Sequence, residues 1–144
     1  MSRPIHNAEL LGRWRIVEWV QRYDDGREIY PLGRDLKGFI QYDAERMVAF
    51  ICRGERPALS GNQWSVPEVE RAAAYSSCLA YSGTWEISGD EILHKVDLSL
   101  NPNWVRTTQR RRAAFRSDGT LVLLARLEDG TAEARTAELV WERA

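Results

Sequence analysis

The chain has 144 residues, about the length of one domain and enough to bury a core without disulfide or metal staples. Twenty Lys and Arg against 21 Asp and Glu leave a formal net charge of −1, which argues against an electrostatically driven nucleic-acid or membrane-surface protein. Hydrophobic residues make up 44%, too many for disorder, and six Trp require an interior to hold them.

The opening MSRPIHNAELLGRW holds no apolar run of the signal-peptide kind. No stretch approaches the ~20 apolar residues of a membrane span, so a soluble, cytoplasmic protein is expected. From there the chain alternates short apolar segments with turn signals. Strands are expected near residues 12–20, 27–31, 37–42, 47–53, 82–88, 91–100, 104–116, 120–127 and 135–142. Asp25-Gly26, Ser88-Gly89-Asp90, Asp118-Gly119 and Asp129-Gly130 mark tight turns, and Asp43 to Arg46 a longer hairpin loop. Between the fourth and fifth strands, Ser65-Val66-Pro67-Glu68 reads as a capping box. Ala72 to Ala74 then favour a short helix over about 67–80. Cys52 and Cys78 form no C-x-x-C, so two reduced thiols are a simpler reading than a zinc site or a disulfide.

A meander of this kind leaves two open edges unless its ends pair. Segments 12–20 and 135–142 are long and apolar enough to do so, giving one closed up-and-down barrel over residues 1–144. Alternation then sorts side chains into a lumen set and a solvent set. Trp14, Ile16, Glu18 and Val20 share one face, and Tyr81, Gly83, Trp85 and Ile87 another. Ile92, His94, Val96, Leu98 and Leu100 are opposed by Lys95, Asp97 and Ser99, so His94 points inward. Gln109, Arg111, Ala113 and Phe115 share a face, as do Leu121, Leu123 and Ala125, and Leu139 and Trp141. The lumen is thus apolar and aromatic with a few polar groups, the chemistry of a small-molecule site.

Gly12-x-Trp14, Gly38-x-Ile40-x-Tyr42, Met47-x-Ala49, Tyr81-x-Gly83-Thr84-x-Glu86, His94 with Ser99, Pro102 and Trp104, Gln109-x-Arg111 and Leu139-x-Trp141-Glu142-Arg143 run the length of the chain. In this order they resemble the lipocalin-like domain family of small bacterial and fungal barrels. That resemblance implies a lipocalin-type β-barrel around a ligand cavity, in a family holding both binding proteins and cofactor-free cyclases, isomerases and lyases. Three positions depart from the family pattern: Arg106 where Gly is typical, Ala113 where a bulky residue is typical, and Glu18 where a small hydroxyl residue is usual.

Each candidate residue carries two readings. His94 is an acid–base catalyst or a hydrogen-bonded core histidine. Glu18 is a carboxylate of raised pKa or the ion-pair partner of Arg111. Arg111 and Gln109 bind a ligand oxygen or satisfy backbone groups at a barrel end. Tyr81 donates its hydroxyl to a ligand or packs under the helix. Trp85 and Trp104 stack an aromatic ligand, Trp104 from the rim, whereas Trp14 and Trp141 plug the closed end. Arg110-Arg111-Arg112 alternates faces on a strand, which removes the basic patch a nucleic acid needs. No phosphate-binding glycine loop or nucleophile elbow is present, so no cofactor is expected. With His6 and His94 the only histidines, no metal is expected, and a mixed His94–Glu18 pair is the most one would find. Two functions follow from one lumen: cofactor-independent acid–base chemistry on a small apolar or aromatic molecule, or carriage of that molecule unchanged. A homodimer is a reasonable expectation for a barrel this small.

Overall fold

The computed structural model describes residues 5–144. The strands are β1 (Gly12–Tyr23), β2 (Glu28–Ile29), β3 (Leu36–Tyr42), β4 (Arg46–Arg53), β5 (Cys78–Ser88), β6 (Glu91–Ser99), β7 (Thr108–Phe115), β8 (Leu121–Leu127) and β9 (Arg135–Arg143). All pair antiparallel. β1 is bonded to β3 over Gly12 to Arg15 and to β9 along most of its length, so eight strands close into the expected barrel. β2 is an extra strand on the far end of β1. Closure removes the exposed edges that a nine-strand meander would otherwise present. The domain expected over 1–144 begins with residues 1–4, which lie outside the described residues.

The turn chemistry is local. Asp43 accepts the backbone N–H groups of Glu45 and Arg46 at 3.0 and 2.6 Å, and Asp118 accepts that of Thr120 at 2.9 Å. Each aspartate substitutes its carboxylate for a backbone acceptor two or three residues on. Two short helices complete the chain, α1 (Asn7–Leu10) and α2 (Glu68–Ser76). No sequence signal announced α1. Its Leu10 carbonyl accepts the Trp14 indole N–H at 3.0 Å, and Arg143 reaches back to the carbonyls of Glu9 and Leu11. Together these seal one end of the barrel.

Three sequence expectations need correction. The helix expected over 67–80 stops at Ser76, because Cys78, Leu79 and Ala80 are claimed by β4 as partners of Cys52, Ile51 and Phe50. Its cap is Pro67, in extended conformation, rather than Ser65, and the Glu70 carboxylate bonds the backbone and hydroxyl of Ser60. The strand expected from residue 104 starts at Thr108, after a 3₁₀ turn at Pro102–Trp104. Arg106 there has φ +67°, the left-handed region that glycine enters freely and other residues at a cost.

The third correction decides the lumen. In β1 the pairing runs Ile16 to Trp141 and then Glu18 to Val140, so Val17 is a bulge that inverts every side chain after it. Trp19 and Gln21, opposite Leu139 and Ala137, therefore face inward, while Glu18 and Val20 face out. A second bulge lies in β6, where Gly83 pairs with Val96 but Ser82 with Leu98. Leu98, expected inside, is 70% exposed, Leu100 lies beyond the strand, and Ser99 takes the inward position opposite Tyr81. At this bulge the strands approach so closely that a Cβ on Gly83 would lie 2.7 Å from the Lys95 carbonyl carbon.

Candidate functional site

The barrel interior divides into a filled half and a hollow half. Near α1 it is packed by Trp14, Tyr42, Met47, Trp85 and Leu121, all buried. Each such side chain contributes about 1.5–3 kcal/mol on leaving water. The Trp85 indole donates to the Asp43 carbonyl at 2.9 Å and its ring meets Tyr42 edge-on at 4.9 Å. Trp85 thus belongs to the plug and not to the ligand wall, where it was expected.

Toward the other end a cavity of about 140 Å³ remains. Its walls are chiefly apolar, from Ile40, Ala49 and Ile51 on one side to Leu123, Ala137 and Leu139 on the other, with Trp141 among them. Trp141 was expected to plug the closed end and instead lines the hollow. Gln21, Leu79, Trp104 and Leu127 are half-buried around it, and Trp104 stacks edge-on against Tyr81 at 5.2 Å. Tyr81, Gln109 and Arg111 line the cavity on the face that alternation gave them, and Trp104, in the 3₁₀ turn ahead of β7, joins them although alternation along 104–116 put it on the solvent side. A larger groove of about 630 Å³ lies outside the barrel between α2 and residues 53–59. Within it Arg56 donates to the Ser77 hydroxyl, and Glu70 accepts from Ser60. In the barrel cavity several polar groups are short of partners.

Arg111 carries the clearest deficit. Its guanidinium donates to the Arg110 carbonyl at 2.9 Å and touches the Gln109 side-chain oxygen at 3.5 Å. No carboxylate among the described residues forms an ion pair with it, although Arg110 and Arg112 on either side pair with Glu91 and Asp90. Glu18, the partner weighed for it, is on the outer face because of the β1 bulge, and the same inversion separates Glu18 from His94. Gln109 donates to Thr107 Oγ1 at 2.9 Å. Two further donors lack partners among the described residues, the buried indole N–H groups of Trp19 and Trp141. Parity misplaced Trp19 and Gln21. The signal for them was the run Val17-Glu18-Trp19-Val20, which has apolar residues in both phases.

His94 points inward from β6 as expected, but it does not reach the cavity. It is fully buried between two tyrosines, with Nε2 2.7 Å from the Tyr42 hydroxyl and Nδ1 2.8 Å from that of Tyr81. Burial, reinforced by the Arg111 charge, lowers its pKa from 6.5 to about 3, so the imidazole is neutral at physiological pH. Burial raises both tyrosines, opposed by Arg111, and they too are neutral. Tyr81 alone of the three lines the cavity.

Elsewhere, Cys52 and Cys78 are directly paired across β4 and β5 as free thiols, Sγ to Sγ 2.8 Å. No helix among the described residues is long and apolar enough to cross a membrane.

Over 81 residues, half of this chain, the sequence is 32% identical to the 4'-hydroxy-3'-methoxypropiophenone carrier protein ppsC of Aspergillus oryzae (strain ATCC 42149 / RIB 40), covering 73% of that protein. A crystal structure of an uncharacterized protein from Bacteroides eggerthii DSM 20697 aligns over 92% of this chain and 98% of its own, with a TM-score of 0.44 at 13% identity. The family model for the lipocalin-like domain matches residues 11–144, and with its closed barrel and internal cavity the chain belongs to that family.

Proposed function

We propose that this protein holds a small, single-ring aromatic or similarly apolar molecule bearing an electron-rich oxygen, and carries it unchanged. The observation that carries this reading is the unpaired Arg111 guanidinium in an apolar cavity. The group is half-buried with no carboxylate among the described residues paired to it, and an anionic or carbonyl oxygen on the ligand would pair with its fixed donors. The cavity of about 140 Å³ is close in size to engineered apolar cavities of about 150 Å³ that take up benzene. The Aspergillus relative is a carrier of 4'-hydroxy-3'-methoxypropiophenone, an aryl ketone with a phenolic hydroxyl, which supports the same class.

Acid–base catalysis finds less support. Glu18 is outside the lumen, and His94 is neutral and screened from the cavity by Tyr81. A general acid or base must come within about 2.6–3.2 Å of the proton it moves.

The test is a fluorescence titration with 4'-hydroxy-3'-methoxypropiophenone and 4-hydroxybenzoate. Trp19, Trp104 and Trp141 line the cavity, so binding should quench their emission. The ligand should then be recovered chemically intact after prolonged incubation. Quenching followed by a new product would replace carriage with catalysis, and no quenching by either compound would defeat both.

A further inference from the structure

The Tyr42–His94–Tyr81 chain contains three exchangeable protons and two hydrogen bonds, so one proton is left over. Each tyrosine contributes a hydroxyl proton, and a neutral imidazole contributes one N–H on one of its two nitrogens. Where the surplus proton resides follows from which hydroxyl has somewhere else to donate. Tyr42 is 1% exposed, packed edge-on against Trp85, and His94 Nε2 is its hydrogen-bond partner among the described residues. If Nε2 carried the N–H, the Tyr42 hydroxyl would have to accept it, and its own proton would be buried without an acceptor. That arrangement costs the full desolvation of a donor. Tyr81, by contrast, lines the cavity.

We infer that Tyr42 donates to His94 Nε2, that His94 Nδ1–H donates to Tyr81, and that the Tyr81 hydroxyl proton is thereby presented to the cavity as a donor for the ligand. This rests on the cavity being a small-molecule site, and it narrows the ligand class. The polar group that meets Tyr81 must be an acceptor, a carbonyl or an anionic oxygen, and an amine or ammonium there would meet a donor. Arg111, Gln109 and the unpartnered indole N–H groups of Trp19 and Trp141 give the lining the same donor character. Accepting a bond from His94 also polarises the Tyr81 hydroxyl and strengthens it as a donor. In this role His94 and Tyr42 are positioning residues, and Tyr81 is the residue that touches the ligand.

Two measurements test it. Long-range ¹H–¹⁵N correlation spectra of the intact, ligand-free protein report the tautomer of His94, with a His6→Gln variant assigning the other histidine. A protonated Nδ1 and bare Nε2 are expected, and a protonated Nε2 overturns the proposal. Calorimetric titrations then compare propiophenone with propylbenzene, which has the same ring and chain without the acceptor. Tyr81→Phe should weaken propiophenone about tenfold, the loss of one hydrogen bond, and leave propylbenzene within about twofold. Tyr42→Phe, which frees the tautomer but preserves the ring, should weaken propiophenone alone by a smaller factor. Equal losses for both compounds would mean that the tyrosines only shape the cavity, which also overturns the proposal. Failure of the wild-type protein to bind either compound would defeat the small-molecule reading and the ligand half of this proposal with it. The spectra would still decide the proton arrangement.

Discussion

The neutral, buried His94 should make the protein lose stability in mild acid, by an amount that can be worked out. Its pKa is about 3 in the fold and 6.5 in the unfolded chain. Because the folded value is the lower one, the unfolded state binds the extra proton between these limits. The stability is therefore complete above about pH 7 and is lost as pH falls through 6.5. Linkage between those two values gives a loss of about 2 kcal/mol from pH 7.5 to pH 5 from this residue alone. For a domain of this size that corresponds to a fall in melting temperature of roughly 4–8 °C. The assay is urea unfolding of the wild type and His94→Gln at both pH values. Glutamine keeps an amide donor and acceptor but does not titrate. The variant starts less stable, having lost one of two buried hydrogen bonds, so the quantity to compare is the change with pH. Asp24, Asp25, Asp43, Asp97, Asp118 and Glu70 are held below their ordinary pKa values by hydrogen bonds and also lose stability in acid. They are present in both proteins and cancel in the difference. If wild type and variant lose the same stability between pH 7.5 and pH 5, His94 is not held neutral and the buried relay is refuted.

Replacing Arg111 by Met should reduce affinity for 4-hydroxybenzoate by about tenfold to a hundredfold, the range for a charge-assisted hydrogen bond. It should leave thermal stability unchanged or raised, since it removes a guanidinium without a carboxylate partner; a clear drop in melting temperature would show that Arg111 serves the fold instead. Glu18→Gln, on the outer face of β1, should leave that affinity unaltered and stability within about 0.5 kcal/mol. A loss of binding there in the same titration would contradict the β1 bulge. Arg106→Gly should stabilise the protein by about 0.5–1 kcal/mol in urea unfolding, because φ +67° is strained for arginine and free for glycine. Destabilisation would mean that the arginine side chain contributes more than its backbone costs.

The barrel was legible in the sequence because its cause is local and repeated. Asp-Gly turns set hairpins, alternation gave each strand a wet and a dry face, and long apolar first and last segments made closure the way to remove the edges. The same alternation placed Tyr81, Gln109 and Arg111 on the cavity wall, in stretches where no bulge intervenes. What alternation cannot carry across is an inserted residue. Val17 and Asp97 each add one residue to a strand, and after each the parity inverts. That moved Glu18 out, brought Trp19 and Gln21 in, and turned Leu98 to solvent. A bulge depends on the register of the neighbouring strand, which is a property of the closed sheet and not of the segment. The role of His94 was hidden for a related reason. Its inward direction follows from its own strand, but its proton and its access depend on Tyr42 and Tyr81, which lie 52 and 13 residues away in sequence and meet it only when the barrel closes. Sequence alone thus determined the architecture and the composition of the interior. Tertiary structure alone decided which polar groups remain unpaired there, because hydrogen-bond partnership is fixed by three-dimensional distance and pattern fixes only direction.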